Sequence, residues 1–473
     1  MTEVLNQTLS QAAQAVARRE ISAVALTEAA LARIAQMQPS LNAFISVSSE
    51  LALRQAEEAD AALAQGRTPG PLHGVPLAHK DMFYRQGYVC TCGSRIRADW
   101  KPTTTATVLE RLDHAGAVTL GALNMAEFAT GPTGHNHHYG ACRNPWNTAY
   151  ITGGSSSGSG SATAARLVFG ALGSDTGGSV RLPAAACGLF GMKPTQTRVS
   201  RYGTMGLSFS LDNVGPLART AEDCARLLSV VAGHDARDNT SSMHPVADYV
   251  AATQKANVEG LKIGIPKAYF LDDADDEVLE GLADAQSVFQ DLGATLVPVD
   301  IPFADIMGRL GGPISGIEAL ALHRAWMRDR PEDYGPQTIA RHMSNLAVPA
   351  ADYLSAVQAR PRIIETFVNA VFSQCDVLQV PVYPCVMPTI EATDVGDSEG
   401  FDRLLGHLTR NTRPFNYLAL PSLSVPAGFD SRGLPLSFQL VAKPFGEYKL
   451  FRAGAAHQSA TSWTREAPNL VRR

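Results

Sequence analysis

The chain has 473 residues, of which 45% are hydrophobic and 18% are charged. This composition supplies a sizeable buried core and excludes a largely disordered chain. The formal net charge is -5, from 40 basic and 45 acidic residues, which argues against a strongly charged surface for nucleic acid or an anionic membrane.

Targeting and redox signals are also missing from the sequence. No window reaches the ~18–20 apolar residues of a membrane span, and residues 1–19 lack the pattern of a secretion signal. The seven cysteines are an odd number in a large chain, which indicates buried free thiols rather than a disulfide framework. We therefore expect a cytoplasmic protein without membrane contact.

The first quarter of the chain alternates between helical and strand patterns. Apolar spacing predicts helices at 5–18, 23–38, 49–64 and 105–115, and strands at 41–47, 75–83 and 117–120. The apolar run at 75–83 reads as a buried strand that ends in polar residues, Lys80 and Asp81.

Residues 131–206 are crowded with Gly, Ser, Thr and Ala, a composition that is typical of a flexible linker. Aliphatic residues such as Leu172 and Leu182 nevertheless recur through this stretch, and a linker does not need them. We interpret the small residues as allowing close backbone packing and unusual dihedral angles. One small-residue helix is predicted near 161–169.

The second half contains further alternating elements. Helices are predicted at 220–232, 276–292, 317–328, 350–375 and 447–459, and strands at 261–266, 295–299, 377–382, 422–426 and 436–441. Thr220 is the expected N-cap of its helix. The alternation favours an α/β fold with a mixed, largely parallel central sheet that is covered by helices on both faces.

The segment from Gly173 to Arg181 has the composition of a catalytic loop. Thr176, Gly177 and Gly178 precede Ser179, and the two glycines let the loop turn its amides towards one point. These N–H groups suit an oxyanion hole, where one donor is worth roughly 2.7–4 kcal/mol. A phosphate-binding loop is the alternative, but Pro183 follows where a helix would have to start.

A serine nucleophile needs a base, and two kinds of candidate are available. Lys80 ends an apolar strand, so burial would lower its pKa and let it accept a proton near neutral pH. An ion pair with Asp81 or another acidic residue is the alternative role for Lys80. The histidines at 135, 137 and 138 resemble a metal cluster, but no downstream partner has recognisable ligand spacing.

The combination of Lys80, the GGSSSG run at 153–158 and the DTGGSVR run at 175–181 resembles the amidase-signature family. Flanking segments extend the resemblance over nearly the whole chain; they lie at 124–128, 144–146, 192–195 and 420–428. The resemblance implies that Ser179 is the nucleophile, Ser155 relays the proton and Lys80 is the base. It also implies a cis peptide bond between Gly154 and Ser155.

The resemblance implies supporting and substrate-binding roles for further residues. Asp175 and Arg181 match positions that brace the nucleophile loop as an ion pair, with Ser156 beside them. The small, neutral residues expected to face the scissile carbonyl are Ala129, Thr130, Gly131 and Gly154. They favour a neutral amide or a related carbamate, hydrazide or anilide as substrate, and no metal or cofactor is expected.

Two other functions compete with that of a free-standing amidase. The first is the glutaminase subunit of a tRNA-dependent amidotransferase, but residues 403–429 contain no acidic residue to hold the amino group of glutamine. The second is a non-enzymatic scaffold, which the presence of Lys80, Ser155 and Ser179 disfavours.

The chain is predicted to form a single large amidase domain. Within it we expect an N-terminal helical part at 1–66, a catalytic core at 67–235, a lid over the pocket at 236–415 and a return to the core sheet at 416–473. The expected partner is a small amide-type substrate, and a homodimer is an expectation from the family resemblance.

Overall fold

The computed structural model of the protein describes residues 2–395 and 398–472. Its helices are α1 (Leu9–Ala17), α2 (Ala23–Leu41), α3 (Ser49–Ala64), α4 (Thr107–His114), α5 (Ser157–Ala164), α6 (Arg181–Ala186), α7 (Ala221–Val231), α8 (Tyr249–Gln254), α9 (Asp276–Asp291), α10 (Ala304–Asp329), α11 (Pro336–Asn345), α12 (Ala350–Phe372), α13 (Ser398–Leu408), α14 (Arg413–Tyr417), α15 (Glu447–Ala460) and α16 (Asn469–Arg472). Its strands are β1 (Phe44–Val47), β2 (Pro76–Lys80), β3 (Val118–Leu123), β4 (Gly170–Asp175), β5 (Phe190–Lys193), β6 (Asn213–Ala218), β7 (Lys262–Pro266), β8 (Thr295–Val299), β9 (Val377–Pro381), β10 (Ser422–Phe429) and β11 (Pro435–Val441).

One sheet joins these strands in the order β1-β3-β2-β4-β6-β5-β10-β11-β9-β7-β8. The predicted mixed α/β class is confirmed. Six of the ten strand pairs in the described part of the chain are antiparallel, so the sheet is not largely parallel as expected. The difference lies in the middle of the sheet, where the run from β4 to β9 pairs only antiparallel.

Most predicted elements are present with shifted ends. The unit of β7, α9 and β8 forms as expected, with the two strands parallel. The side chain of Thr220 accepts a hydrogen bond from Asp223 N at 3.0 Å and so caps α7, as predicted.

The largest differences lie in the stretch rich in small residues. The helix expected at 161–169 is α5, which begins earlier, and the chain then enters β4. Strands β4, β5 and β6 were not predicted, and neither was α11. The stretch is not a linker, because α5 and β4 are buried along their whole length.

Strands β2 to β6 and β9 are buried at every position, so both faces of the sheet are covered there. Of the seven cysteines, six are buried and Cys385 is partly exposed, and all are free thiols, as expected. No helix among the described residues is long and apolar enough to cross a membrane. The division of the chain into an N-terminal part, core, lid and return segment stays a prediction.

Candidate active site

Lys80 is the last residue of β2, and its side chain is completely buried. Its ammonium nitrogen donates hydrogen bonds to Ser155 Oγ at 2.7 Å and to Ser174 Oγ at 2.9 Å. No ion pair joins Lys80 to Asp81 or to another acidic side chain in the described part of the chain. Asp81 instead accepts hydrogen bonds from the backbone and the hydroxyl of Thr91. The ion-pair alternative for Lys80 is therefore wrong.

Burial lowers the pKa of Lys80 to about 7, because the apolar surroundings disfavour the charged ammonium. The carboxylates of Asp212 and Asp175 oppose this effect and favour the charged form. Near neutral pH the lysine is consequently divided between its charged and neutral forms, as a general base requires.

Ser155 is buried beside Lys80 at the start of the segment that leads into α5. The peptide bond between Gly154 and Ser155 is cis, as the family resemblance implies. A Cβ at Gly154 would lie 2.6 Å from Gly131 O, so only glycine fits against this backbone. Gly154 thus packs against the backbone of Gly131. It was expected to face the substrate, but it is not among the residues that line the pocket.

Ser179 lines a pocket and is only partly buried. Its backbone oxygen accepts a hydrogen bond from Ser156 N at 3.3 Å, and the Ser156 hydroxyl bonds to both backbone groups of Ser174 at 3.2 Å. Ser156 therefore links the loop of Ser179 to the strand beside Lys80. Within the described residues, the Ser179 hydroxyl makes no hydrogen bond, either to Ser155 or to any other group.

The loop before Ser179 contains both occupied and free amides. Gly178 N donates to Asp175 Oδ1 at 2.8 Å, so this predicted oxyanion donor is already paired. The amides of Thr176, Gly177 and Ser179 have no hydrogen-bond partner among the described residues. Of the three predicted donors, Thr176 and Gly177 thus remain available, and Ser179 adds a third free N–H group.

Asp175 and Arg181 form the predicted ion pair, with both side chains inaccessible to solvent and an Nη2–Oδ1 distance of 3.0 Å. Burial opposes ionisation of Asp175, but the Arg181 guanidinium outweighs it and lowers the pKa of the carboxyl to about 2. Asn416 Nδ2 also donates to Asp175 Oδ1 at 2.8 Å. The pair braces the loop and does not face the pocket.

The pocket brings predicted and unpredicted residues together. Ala129, Thr130 and Gly131 line it, as the resemblance implies, together with Thr176, Gly177 and Ser179. Arg341 of α11 and Arg413 of α14 also line it. Sequence reasoning did not place either arginine here, because α11 was not recognised and Arg413 is distant along the chain.

The three neighbouring histidines lie outside this pocket. His138 Nε2 pairs with Glu127 Oε1 at 3.0 Å, and His135 Nε2 is 3.0 Å from Thr393 Oγ1. Among the described residues, no group of three or more His, Cys, Asp or Glu side chains is arranged to hold a metal ion.

Comparison with known proteins gives a consistent result. The model of the family described as Amidase matches residues 25–451. A glutamyl-tRNA(Gln) amidotransferase subunit of Chloroflexus aurantiacus is 40% identical over all of both chains.

Solved structures are similar over almost the whole chain. One is a protein complex described as revealing the evolutionary origins of an s-triazine catabolic enzyme, with 34% identity, 96% of this chain and 98% of that chain covered, and a TM-score of 0.89. Another is the native peptide amidase of Stenotrophomonas maltophilia, with 28% identity, 98% of each chain covered and a TM-score of 0.85.

Proposed function

Because the chain belongs to the amidase family, we propose that it hydrolyses the C–N bond of a carboxamide through an acyl-enzyme on Ser179. One observation carries this proposal. A buried lysine with a pKa of about 7 donates to Ser155 Oγ at 2.7 Å, beside a pocket that contains the free hydroxyl of Ser179.

In the first half-reaction, Ser179 Oγ attacks the amide carbon as its proton passes to Ser155 and the Ser155 proton passes to neutral Lys80. The carbonyl oxygen becomes an oxyanion, which accepts hydrogen bonds from the free amides of Thr176 and Gly177. The proton then returns through Ser155 to the leaving nitrogen, and the C–N bond breaks.

In the second half-reaction, a water molecule replaces the departed amine and attacks the acyl-enzyme. Its proton follows the same route through Ser155 to Lys80, and the Ser179 oxygen is reprotonated as it leaves. The products are a carboxylic acid and an amine or ammonia. Each step uses side chains and backbone amides of this chain, and water.

Replacement of the nucleophile tests this proposal. Ser179→Ala should lower kcat/KM for amide hydrolysis by at least about a thousandfold, because no acyl-enzyme can form. A fluorophosphonate should add one adduct to the wild-type protein, mapped to Ser179 by mass spectrometry. Ser159→Ala is the matched control, since this buried hydroxyl donates to Leu172 O away from the pocket. Hydrolysis that survives in Ser179→Ala would refute the assignment.

The curated relatives favour a second candidate, the glutaminase subunit of a tRNA-dependent amidotransferase, more strongly than a free-standing amidase. The amidotransferase subunit of Chloroflexus aurantiacus matches this chain from end to end. In that case the ammonia released at Ser179 would serve a larger assembly, and the chain would have protein partners.

Two assays separate the candidates. The first measures ammonia release from glutamine by the chain alone. The second replaces the matching subunit of the Chloroflexus aurantiacus amidotransferase with this chain and measures glutamine-dependent amidation of glutamyl-tRNA(Gln). Activity in the second assay would establish the glutaminase function, whereas hydrolysis of other amides with no glutamine turnover in either assay would exclude it. Cytoplasmic location and homodimer formation stay predictions.

A further inference from the structure

The pocket beside Ser179 is lined by two positively charged side chains. Arg341 and Arg413 both contribute to its lining, at the end formed by α10, α11, α13 and α14. None of the lining residues described by the structure is an aspartate or glutamate. A ligand in this pocket therefore meets two guanidinium groups and no carboxylate.

Among the described residues, Arg413 has no partner for its guanidinium, unlike the other buried or half-buried arginines of this region. In the part of the chain that the structure describes, its guanidinium makes no hydrogen bond and no ion pair. By contrast, Arg181 is paired with Asp175, and Arg410 with Asp273 at 3.2 Å. A partly buried guanidinium with all its donors unused is costly unless a ligand satisfies them.

Arg341 is only partly compensated. Its Nη1 lies 3.2 Å from Asp402 Oδ1, but half of the Asp402 side chain is exposed to solvent and Asp402 does not line the pocket. Burial, assisted by the nearby charge of Arg413, lowers the pKa of Arg341 to about 10. Two like charges that repel each other in a partly dehydrated pocket would both be stabilised by an anion.

We propose that Arg413 and Arg341 form a carboxylate-binding end of the pocket, so that the substrate is the amide of an acid with a second, free carboxylate and no ammonium group beside it. The planar guanidinium fork matches a carboxylate with two parallel hydrogen bonds. An ammonium group would be repelled by both arginines and would find no acidic side chain among the lining residues described. This inference rests on the proposed cleavage at Ser179 and specifies the substrate that is cleaved.

Binding to the Ser179→Ala variant tests the inference without turnover. Glutaramate, pentanamide and glutamine share the amide end, and differ in a terminal carboxylate, a terminal methyl, and a carboxylate with an adjacent ammonium. Calorimetric titration should show glutaramate binding at least about tenfold more tightly than either of the other two. Succinamate against butanamide repeats the comparison for a substrate of shorter reach.

Substitution of the arginine locates the effect. In the Ser179→Ala background, Arg413→Met should weaken binding of the acid amide at least about tenfold more than binding of the neutral amide. Arg413→Lys keeps the charge but not the planar guanidinium fork. Its preference for the acid amide over the neutral amide should fall between those of the parent protein and Arg413→Met. Arg410→Met is the control, because Arg410 pairs outside the pocket, and it should leave the ratio unchanged. Thermal melting of each variant confirms that it is folded.

The outcomes separate this inference from the proposed function. Equal binding of acid and neutral amides at both lengths, no binding of either pair, or an Arg413→Met ratio like wild type would overturn the inference. Binding of glutamine as tight as that of glutaramate would overturn the exclusion of an ammonium group. If the carboxylate inference is overturned but the protein hydrolyses neutral amides with Ser179, the proposed function holds and only the carboxylate site is rejected. If the acid amides bind through Arg413 but the wild-type enzyme cleaves none of them, the binding site stands and the hydrolysis fails.

Discussion

At the scale of single residues, the proposed chemistry depends on keeping one lysine neutral near physiological pH. Among the described residues, Lys80 contacts two serine hydroxyls and no carboxylate directly, so burial dominates its pKa. The strongest opposing influence is the charge of Asp212. Asp212 also accepts a hydrogen bond from Thr176 Oγ1 at 2.5 Å, so the same carboxylate acts on the charge of Lys80 and holds the loop with the free amides.

The substitution Asp212→Asn should move the acidic limb of the pH–rate profile to lower pH. Activity requires neutral Lys80, so kcat/KM rises as pH passes upward through the lysine pKa. Asp212 raises that pKa, and removal of its charge should lower it by on the order of one unit. The asparagine oxygen can still accept from Thr176, but the amide nitrogen replaces the oxygen that accepts from Leu207 N and Ser208 N, so thermal melting of the variant accompanies the assay. The measurement is kcat/KM for one amide from about pH 5 to about pH 9, a range that spans the lysine pKa.

A matched control for this shift is Asp223→Asn, a buried aspartate that accepts from Leu9 N and Ser10 N far from the pocket. It should leave the acidic limb in place. An Asp212→Asn profile that is unshifted, or shifted to higher pH, would contradict a role for Asp212 in setting the lysine pKa.

Single residues differ in how well the sequence reveals them. Lys80 and Ser179 were predicted because each stands at a distinctive point, the end of an apolar strand and the end of a glycine-rich loop. Ser174, Asp212 and Arg341 were not, because their importance comes from what packs against them in three dimensions. The hydrogen bond from Gly178 N to Asp175 could not be predicted either, because a glycine-rich sequence does not show which backbone amides are already paired.

At the scale of elements, the sequence signal failed where strands are built from small residues. Strand β4 has the sequence GALGSD, which resembles a loop by composition. Its glycines are required by neighbouring elements, because a Cβ at Gly173 would lie 2.6 Å from Ser156 Oγ. Elements with ordinary amphipathic spacing, such as α3 and α9, were predicted within a few residues. Tertiary packing therefore determines the secondary structure of segments, such as β4, whose composition does not predict it.

The substitution Gly215→Ala should lower the free energy of unfolding by roughly 1–3 kcal/mol, the usual cost of overpacking a tight interior. Gly215 lies in β6 between β4 and β5, and a Cβ there would lie only 1.9 Å from Met192 O. Urea denaturation followed by circular dichroism measures the change. Gly406→Ala in α13 is the control, since no atom beyond its own helix backbone and chain neighbours lies within 4 Å of its added Cβ, and it should stabilise by up to about 1 kcal/mol. Equal changes in the free energy of unfolding at both positions would contradict a steric clash with Met192 O as the cause of the destabilisation.

At the scale of the whole molecule, the site is assembled from segments that are far apart in the sequence. The lysine comes from β2, the two serines flank α5 and β4, and the pocket arginines come from α11 and α14. A buried network around Arg181 joins β4, α14 and β11, because its guanidinium donates to Asp175, Asn416 and Gln439. The sequence predicted the pair with Asp175, but the links to α14 and β11 required the folded chain.

Arg181→Met should therefore destabilise the whole fold, by about 3–5 kcal/mol near neutral pH, because Asp175 would be left buried and ionised without its partner. In the wild type the pKa of Asp175 is held at about 2, below its ordinary value of 3.8, so its contribution to stability is present above pH 4 and declines as pH falls towards 2. In the variant, burial without Arg181 should raise this pKa above the ordinary value, so acidification relieves the penalty. The difference in free energy of unfolding between wild type and variant should consequently be largest near pH 7 and shrink at lower pH. Urea denaturation near neutral pH and at acidic pH measures it.

The control is Arg309→Met, which removes an exposed pair with Asp305 and should change the free energy of unfolding little at neutral or acidic pH. A difference for Arg181→Met that is small, or that grows on acidification, would mean that the network does not hold these segments together.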